Sequence, residues 1–466
     1  MLFFWGAGFA SGKFQRFQCG VDRNNFLDPA VKTLKSNFIM KALLKSTWIL
    51  LVAVTLMMMG NGLQGPLLGV RAVTEGFNST ITGFIMSGYF AGLLFGSYIA
   101  PKLVRQVGHI RVFAAFASIA STCILTQAAF VEPVTWVFMR FVTGMCMSGL
   151  YVVVESWFND KADNNTRGTL LAIYSTLQLT GVALGQLLLN LASPSGYDLF
   201  LLTSVLISLS LVPVALTNIS APTVEKTESV SWKDLYQISP FGVIGLFLLG
   251  MVQSVLFGMS AVFASLIGLS VVAVSFFASM PFIGGILLLF PLGFLSDKLD
   301  RRKVVILTST GSAIFAMMGF IVFDNNISLL FLVITVYGGL SYPMYSLLIA
   351  HANDNARPEQ MLSVCSGLVM IFGLGATLGP LIVGFTMDWY GYGSFFLFLA
   401  AVHVLISVFG IYRTTKRASV EERLDYVPLP MRATPIAAKT LAKDMARQSR
   451  RLGRRMQRRR SRKKSA

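Results

Sequence analysis

Between residues 46 and 412 the chain alternates long apolar runs with short polar connections. Charge-free stretches cover 46–70, 76–101 and 112–131, and the run 133–158 is interrupted only by Arg140 and Glu155. Runs 168–197 and 199–217 follow. After a polar segment, 235–296 carries no charge at all, which is too long for one crossing and right for two with a break near 268–270. Runs 304–323, 327–350, 361–387 and 393–412 complete the series. A hydrocarbon core about 30 Å thick needs roughly 20 apolar residues in a helix, so the pattern predicts twelve transmembrane helices. Runs of about 10–14 residues would leave buried helices of a soluble protein open, and these are longer. No period-two alternation runs through them, which excludes a transmembrane β-barrel. The expected fold class is an all-α membrane protein.

Composition agrees. Hydrophobic residues are 54%, charged residues 13% and mean hydropathy is +0.66, whereas a soluble domain carries about 25% charged residues. The net charge of +18 is not a nucleic-acid signature, because 18 of the 39 Lys and Arg lie between Arg413 and Lys464. That tail reads either as an amphipathic helix on anionic lipid, with Leu441, Met445, Leu452 and Met456 at helical spacing, or as a solvated segment. Apart from Arg140, 37 Lys and Arg fall on the side of the termini, against Arg71 alone on the other. The positive-inside rule then makes both termini cytoplasmic, in a bacterial inner (plasma) membrane. Cys19, Cys123, Cys146 and Cys365 are scattered and the three His lie far apart, so neither a disulfide framework nor a metal site is expected. No phosphate-cradling loop and no nucleophile–base constellation is present, so ATP-driven transport, enzymatic activity and a cofactor are not expected. Leu2–Ala10 is apolar without a preceding basic residue, and the stretch from Met40 to Lys45 resembles a natural start before the first span.

The expected organisation is a basic extension 1–45, six spans in 46–217, a linker 218–240, six spans in 241–412 and the basic tail 413–466. A duplication supports this division. Asn159, Asp160 and Ala162 recur as Asn353, Asp354 and Ala356 at an offset of 194, as Gly181 and Gly185 recur as Gly375 and Gly379. These glycines are expected to serve motion between the halves.

After the eighth run stand Gly293, Asp297, Lys298, Asp300, Arg301, Arg302 and Lys303. This spacing resembles the loop signature of the major facilitator superfamily. The loop 101–111 is a degenerate copy, with Arg105 at the acidic position. Arg140, Thr143 and Gly144 resemble the fourth-helix arginine motif of that superfamily, and the string from Gly149 through Glu155 to Trp157 resembles its YcaD-like branch. The resemblance covers about 46–413. It implies two six-helix bundles, the major facilitator fold, and a monomer transporting a small-molecule substrate by alternating access. It also implies that Asp297 latches the halves by accepting from exposed N–H groups at the start of a neighbouring helix, with Arg301 and Arg302 held by a nearby carboxylate.

Ionisable groups inside a span cost about 2.5 kcal/mol or more at mid-depth and are functional candidates. Arg140 either binds an anionic substrate group, tunes a carboxylate, or snorkels to the interface. Glu155 lies about 22 Å further along the same helix at 1.5 Å per residue. It is expected to form a cytoplasmic gate pair with Arg105 or Arg111, or else to carry a proton. Asn61, Gln64, Gln178, Gln253, Tyr342 and Tyr345 are pocket candidates, with Gln186 a further polar residue in span five. The resemblance implies that spans one, four, seven and ten surround the path. So few polar anchors suit an amphipathic substrate. The competing expectation is a non-transporting sensor or scaffold of the same fold.

Overall fold

The computed structural model describes residues 29–161, 166–216, 231–416 and 426–429, together with helical positions 442, 445 and 448. The extension before residue 29, the linker from 217 to 230 and most of the basic tail lie outside the described residues. So does most of the stretch read as either a lipid-bound amphipathic helix or a solvated segment; of its described positions, Met445 is fully buried, which neither reading expects. The chain divides into two compact units, Met1–Ser46 and Thr47–Ala466, and all twelve spans belong to the second.

Helix α1 is Pro29–Thr74, of which Thr47–Thr74 is the first span. It is followed by α2 (Ser79–Val107), α3 (His109–Ala129), α4 (Pro133–Lys161), α5 (Arg167–Leu187, continued by a short 3-10 turn) and α6 (Asp198–Ala215). The short helix α7 (Trp232–Ile238) precedes α8 (Pro240–Gly258), α9 (Ser260–Leu266) and α10 (Val271–Lys298). Then come α11 (Arg301–Val322), α12 (Ile327–Ser341), α13 (Met344–Asp354), α14 (Met361–Tyr390) and α15 (Ser394–Lys416). Among the described residues twelve helical spans are long and apolar enough to cross a membrane, with α12 and α13 sharing the tenth.

Local chemistry explains the punctuation. Ser239 accepts from Gly242 N at 3.2 Å and Pro240 occupies the first turn of α8, so the seventh span starts there and not at 235. Gly268 has φ +79°, and Ser270 caps α10, which places the break between spans seven and eight in the expected 268–270 region. The tenth span breaks at Tyr342–Pro343, because proline supplies no N–H and its ring crowds the preceding turn. Gln253 of α8 donates to the carbonyl oxygens of Ser341 and Tyr342 at 3.3 and 3.5 Å, partnering backbone at that break.

Glycines set the closest helix crossings. A Cβ on Gly92 of α2 would land on the Phe141 carbonyl of α4, and one on Gly144 of α4 on the Tyr89 carbonyl. The second half repeats the device: Gly284 of α10 lies against the Thr335 carbonyl of α12, and Gly338 against Pro281. Gly185 meets the Met59 carbonyl just as Gly379 meets that of Met251. The four glycines expected to serve motion therefore lie in tight crossings inside each half. Without hydrophobic drive between helices in lipid, such backbone approach is what holds a bundle together.

Candidate functional site

Three levels of buried polar groups run through the first half, from α1, α3, α4 and α5. At the first level Arg140 is fully buried, so it does not snorkel to an interface. Its Nη1 donates to Gln64 Oε1 at 3.1 Å, and its guanidinium stands 4.5 Å from the Tyr89 ring centroid. Gln64 Nε2 donates in turn to Gln127 Oε1 at 3.0 Å. Trp136 Nε1 donates to the Gln127 carbonyl at 3.0 Å and fixes that end of the relay. With Gln64 accepting from a cation through its oxygen, its amide has one consistent orientation. A buried guanidinium costs several kcal/mol in lost hydration. The charge-assisted hydrogen bond returns about 1.5–3 kcal/mol and the cation–π contact about 2 kcal/mol.

The facing wall, from the second half, is aromatic. Tyr89 stacks on Phe257 of α8 at 6.0 Å, Phe257 meets Phe282 of α10 edge-on at 6.4 Å, and Phe282 stacks on Tyr342 at 4.9 Å. Tyr345 packs edge-on against Phe372 at 4.9 Å. At the second level Asn61 Nδ2 donates to Tyr151 OH at 3.2 Å. Asn61 and Gln253 thus hold matching positions, each reaching from the first span of its half to the fourth. Asn61 Oδ1 and Gln253 Oε1 are buried acceptors with no hydrogen-bond partner among the described residues.

The third level holds Glu155, 2% exposed, whose Oε1 accepts from Tyr174 OH at 3.3 Å, with Gln178 one turn further along α5. Arg105 and Arg111 are both exposed, and among the described residues neither forms an ion pair with Glu155. The expected gate pair is therefore not made. Helix α4 carries its carboxylate inward, onto the face that also bears Tyr151, while the arginines of the 101–111 loop point to solvent.

The two ends of the bundle are tied differently. At the end bearing the basic loops, Arg301 Nη1 donates to both carboxylate oxygens of Asp354 at 2.8 and 2.7 Å, with both side chains buried. Arg302 pairs with Asp300 at 3.3 Å, and Asp300 also caps α11. Lys298 lies over the Phe294 ring at 4.1 Å. Asp297 Oδ1 accepts the backbone N–H of Tyr426 at 2.8 Å, a donor from the segment after the last span, and Arg301 Nη2 at 3.4 Å. A carboxylate on a helix start is seen at the opposite end. There Asp388 of α14 accepts from Ser79 N at 2.9 Å, Thr80 N at 2.8 Å and Thr80 Oγ1 at 2.6 Å. A carboxylate from one half thus sits on the positive first turn of α2 in the other. Asn190 Nδ2 joins the halves there again, donating to Ser275 Oγ at 2.7 Å.

The sequence model of the Major Facilitator Superfamily matches residues 50–286 and 243–444. The chain belongs to that superfamily. It is 24% identical over 322 residues to the uncharacterized MFS-type transporter YcaD of Escherichia fergusonii, covering 69% of this chain and 83% of the relative. The namesake from Escherichia coli O17:K52:H18 is 23% identical over 361 residues, or 76% of this chain and 92% of the relative. Among solved structures, the nucleoside transporter NupG superposes with a TM-score of 0.64 at 15% identity, over 79% of this chain and 98% of that one. A point mutant of the same transporter gives 0.67 at 14% identity, over 78% and 99%. This likeness establishes the fold. The chain is a multi-pass membrane protein whose relatives are named transporters.

Several residues of this superfamily member escaped the sequence. Gln127 is an amide inside an apolar run and was open to the same reasoning as Gln64. Tyr89 looked like ordinary apolar filling. Asp388 stands one residue beyond the charge-free run 361–387, where a count of spans stops. Its bonds carry a clear expectation. Replacing Asp388→Ala leaves the first-turn amides of α2 without their acceptor, and each charge-assisted bond is worth about 1.5–3 kcal/mol. Hydrogen exchange at residues 79–82 should accelerate by about tenfold or more. Unchanged exchange would show that the carboxylate does not hold this end.

Proposed function

We propose that the chain is a secondary active transporter that carries a small amphipathic molecule with an anionic group by alternating access. The basic face is the cytoplasmic one in this reading, and the membrane is the bacterial inner membrane. The observation that carries the reading is the pairing of a fully buried cation, Arg140, with the Phe257–Phe282–Tyr342 wall of the other half. A site of this kind offers charge on one side and apolar surface on the other. Because each wall belongs to a different bundle, rocking one against the other opens the site to either face. The discontinuous tenth span at Tyr342–Pro343 puts irregular backbone beside the aromatic wall, where a transporter tolerates it. A thermal-stability screen of purified protein tests the substrate class. Anionic aromatic or aliphatic acids should raise the melting temperature, and their neutral amides should not; stabilisation by cationic compounds alone would refute the assignment.

Glu155 supplies the proton-coupling part of the proposal. It is a buried carboxylate with a hydroxyl donor, in the same helix as Arg140 but on a separate level, so substrate and proton occupy distinct sites. In vesicles, Glu155→Gln should abolish substrate-driven proton movement while leaving thermal stabilisation by the substrate intact. Proton movement that persists in this variant removes Glu155 from the coupling route.

A further inference from the structure

The segment Tyr426, Val427, Pro428 and Leu429 lies beyond the last span, yet it is buried between the two halves. Val427 is 6% exposed and Leu429 3%. On one side, Ser175 Oγ of α5 donates to the Pro428 carbonyl at 3.3 Å. On the other, Leu429 N donates to Ser346 Oγ of α13 at 2.8 Å, while that hydroxyl reaches back to the Leu429 carbonyl at 3.5 Å. The Tyr426 ring covers Gly293 of α10 so closely that a Cβ there would collide with it, and the Tyr426 amide sits on Asp297. Val427 approaches Gly168 at the start of α5. Ser175 is eight residues from the first residue of α5, and Ser346 eight from the end of α13. At 1.5 Å per residue, the segment therefore reaches about 12 Å into the bundle from the basic face.

We propose that residues 426–429 form a tethered plug, which docks in the cleft between α5 of one half and α10 and α13 of the other and blocks closure of the basic face. Three features of the contact point this way. Its hydrogen bonds run from or to its own backbone and end on side chains of the helices, two serine hydroxyls and the Asp297 carboxylate, so the helices keep their internal hydrogen bonds when it is released. Its apolar side chains exclude water from a cleft that would otherwise be wet. Its two anchoring serines belong to different halves, so any motion that brings α5 toward α10 and α13 must first expel it. The opposite face is meanwhile held shut by Asp388 on α2 and by Asn190 on Ser275. Plug and latch together fix one state. The Asp297 carboxylate, which the loop signature would place on a helix start, here anchors the plug.

The regulatory role rests on the transport reading, whereas the docking does not, and the test separates the two. Ser175→Cys places a thiol under Pro428 in the full-length protein. Its rate of alkylation by a water-soluble maleimide is compared in three chains: otherwise native, Val427→Asp with Leu429→Asp, and Gly293→Ala. The first change expels the segment by burying charge on it, and the second by displacing the Tyr426 ring from the receptor side. Both should speed alkylation by about tenfold or more over the native chain, a factor of ten corresponding to about 1.4 kcal/mol. Equal rates in all three would overturn the docking. Spin labels at Arg111→Cys and Lys303→Cys, both exposed positions on the basic face, read the consequence. The plug variants should gain a shorter distance component that the native chain lacks. Faster alkylation with an unchanged distance distribution would show that the segment sits in the cleft without restraining it, which overturns the regulatory role and leaves the transport reading standing.

Discussion

Arg140→Leu is expected to abolish both transport and ligand stabilisation while leaving the protein folded. The side chain is fully buried, and Leu fills much of its volume without requiring hydration. Replacing both partners of a buried hydrogen bond by apolar groups of the same shape can be close to neutral for stability. This change replaces one and leaves Gln64 Oε1 without the Arg140 donor, at a cost of about 1–3 kcal/mol. The Gln64 amide then has an acceptor to satisfy, so a modest fall in melting temperature is expected. Binding suffers more. A charge-assisted bond to an anionic group is worth about 1.5–3 kcal/mol in affinity, or roughly 10- to 150-fold, and the loss grows when the opposing charge must be desolvated without a partner. Arg140→Lys should recover only part of this, because an ammonium lacks the planar fork and stacks less well on Tyr89. The check is a melting curve with and without the best stabilising acid from the screen. Full ligand stabilisation in Arg140→Leu would move the anionic subsite elsewhere.

Gly92→Val should have the largest effect on folding. A Cβ at this position falls on the Phe141 carbonyl, and the crossing is reciprocated by Gly144 against the Tyr89 carbonyl. Backbone cannot turn aside as a flexible side chain can, so α2 and α4 must separate. Overpacking in a core costs about 1–3 kcal/mol even where side chains give way. Separation would also pull Tyr89 from beneath Arg140, tying the fold of the first half to its site. The measurement is the yield of monodisperse protein after detergent extraction, with Gly196→Ala as the control, since a Cβ there meets only ordinary contacts at 3.4 Å. Equal yields would show that the crossing tolerates a side chain.

Span count is legible because a bilayer sets a length that twelve separate runs satisfy, and the internal repeat because Asn159, Asp160 and Ala162 recur as Asn353, Asp354 and Ala356 at the offset that also relates the glycines. Their role is not, since a glycine that permits motion and one that permits close packing look alike in sequence. Arg140 stood out by its cost, and Gln64 by its polarity. Their union depended on tertiary geometry across 76 residues, and Gln127 joined them from a run that otherwise looked uniformly apolar. Depth in the membrane suggests Arg105 or Arg111 as a partner for Glu155, but depth does not say which way a helix face points. The plug was hidden for a different reason. Residues 426–429 are four ordinary positions in a tail whose overwhelming feature is positive charge, and only the fold reveals that they return to the cleft.

Alternation of access is tested most directly by measuring both faces of the same protein at once. Spin labels at Thr74→Cys and Tyr392→Cys report the face latched by Asp388, and labels at Arg111→Cys and Lys303→Cys report the basic face. The native chain is compared with one that carries Asp388→Ala together with Val427→Asp and Leu429→Asp, so that latch and plug are both released. The first distance should lengthen while the second shortens. If both distances stay as in the native chain, or both lengthen together, the halves do not rock about the Arg140 site.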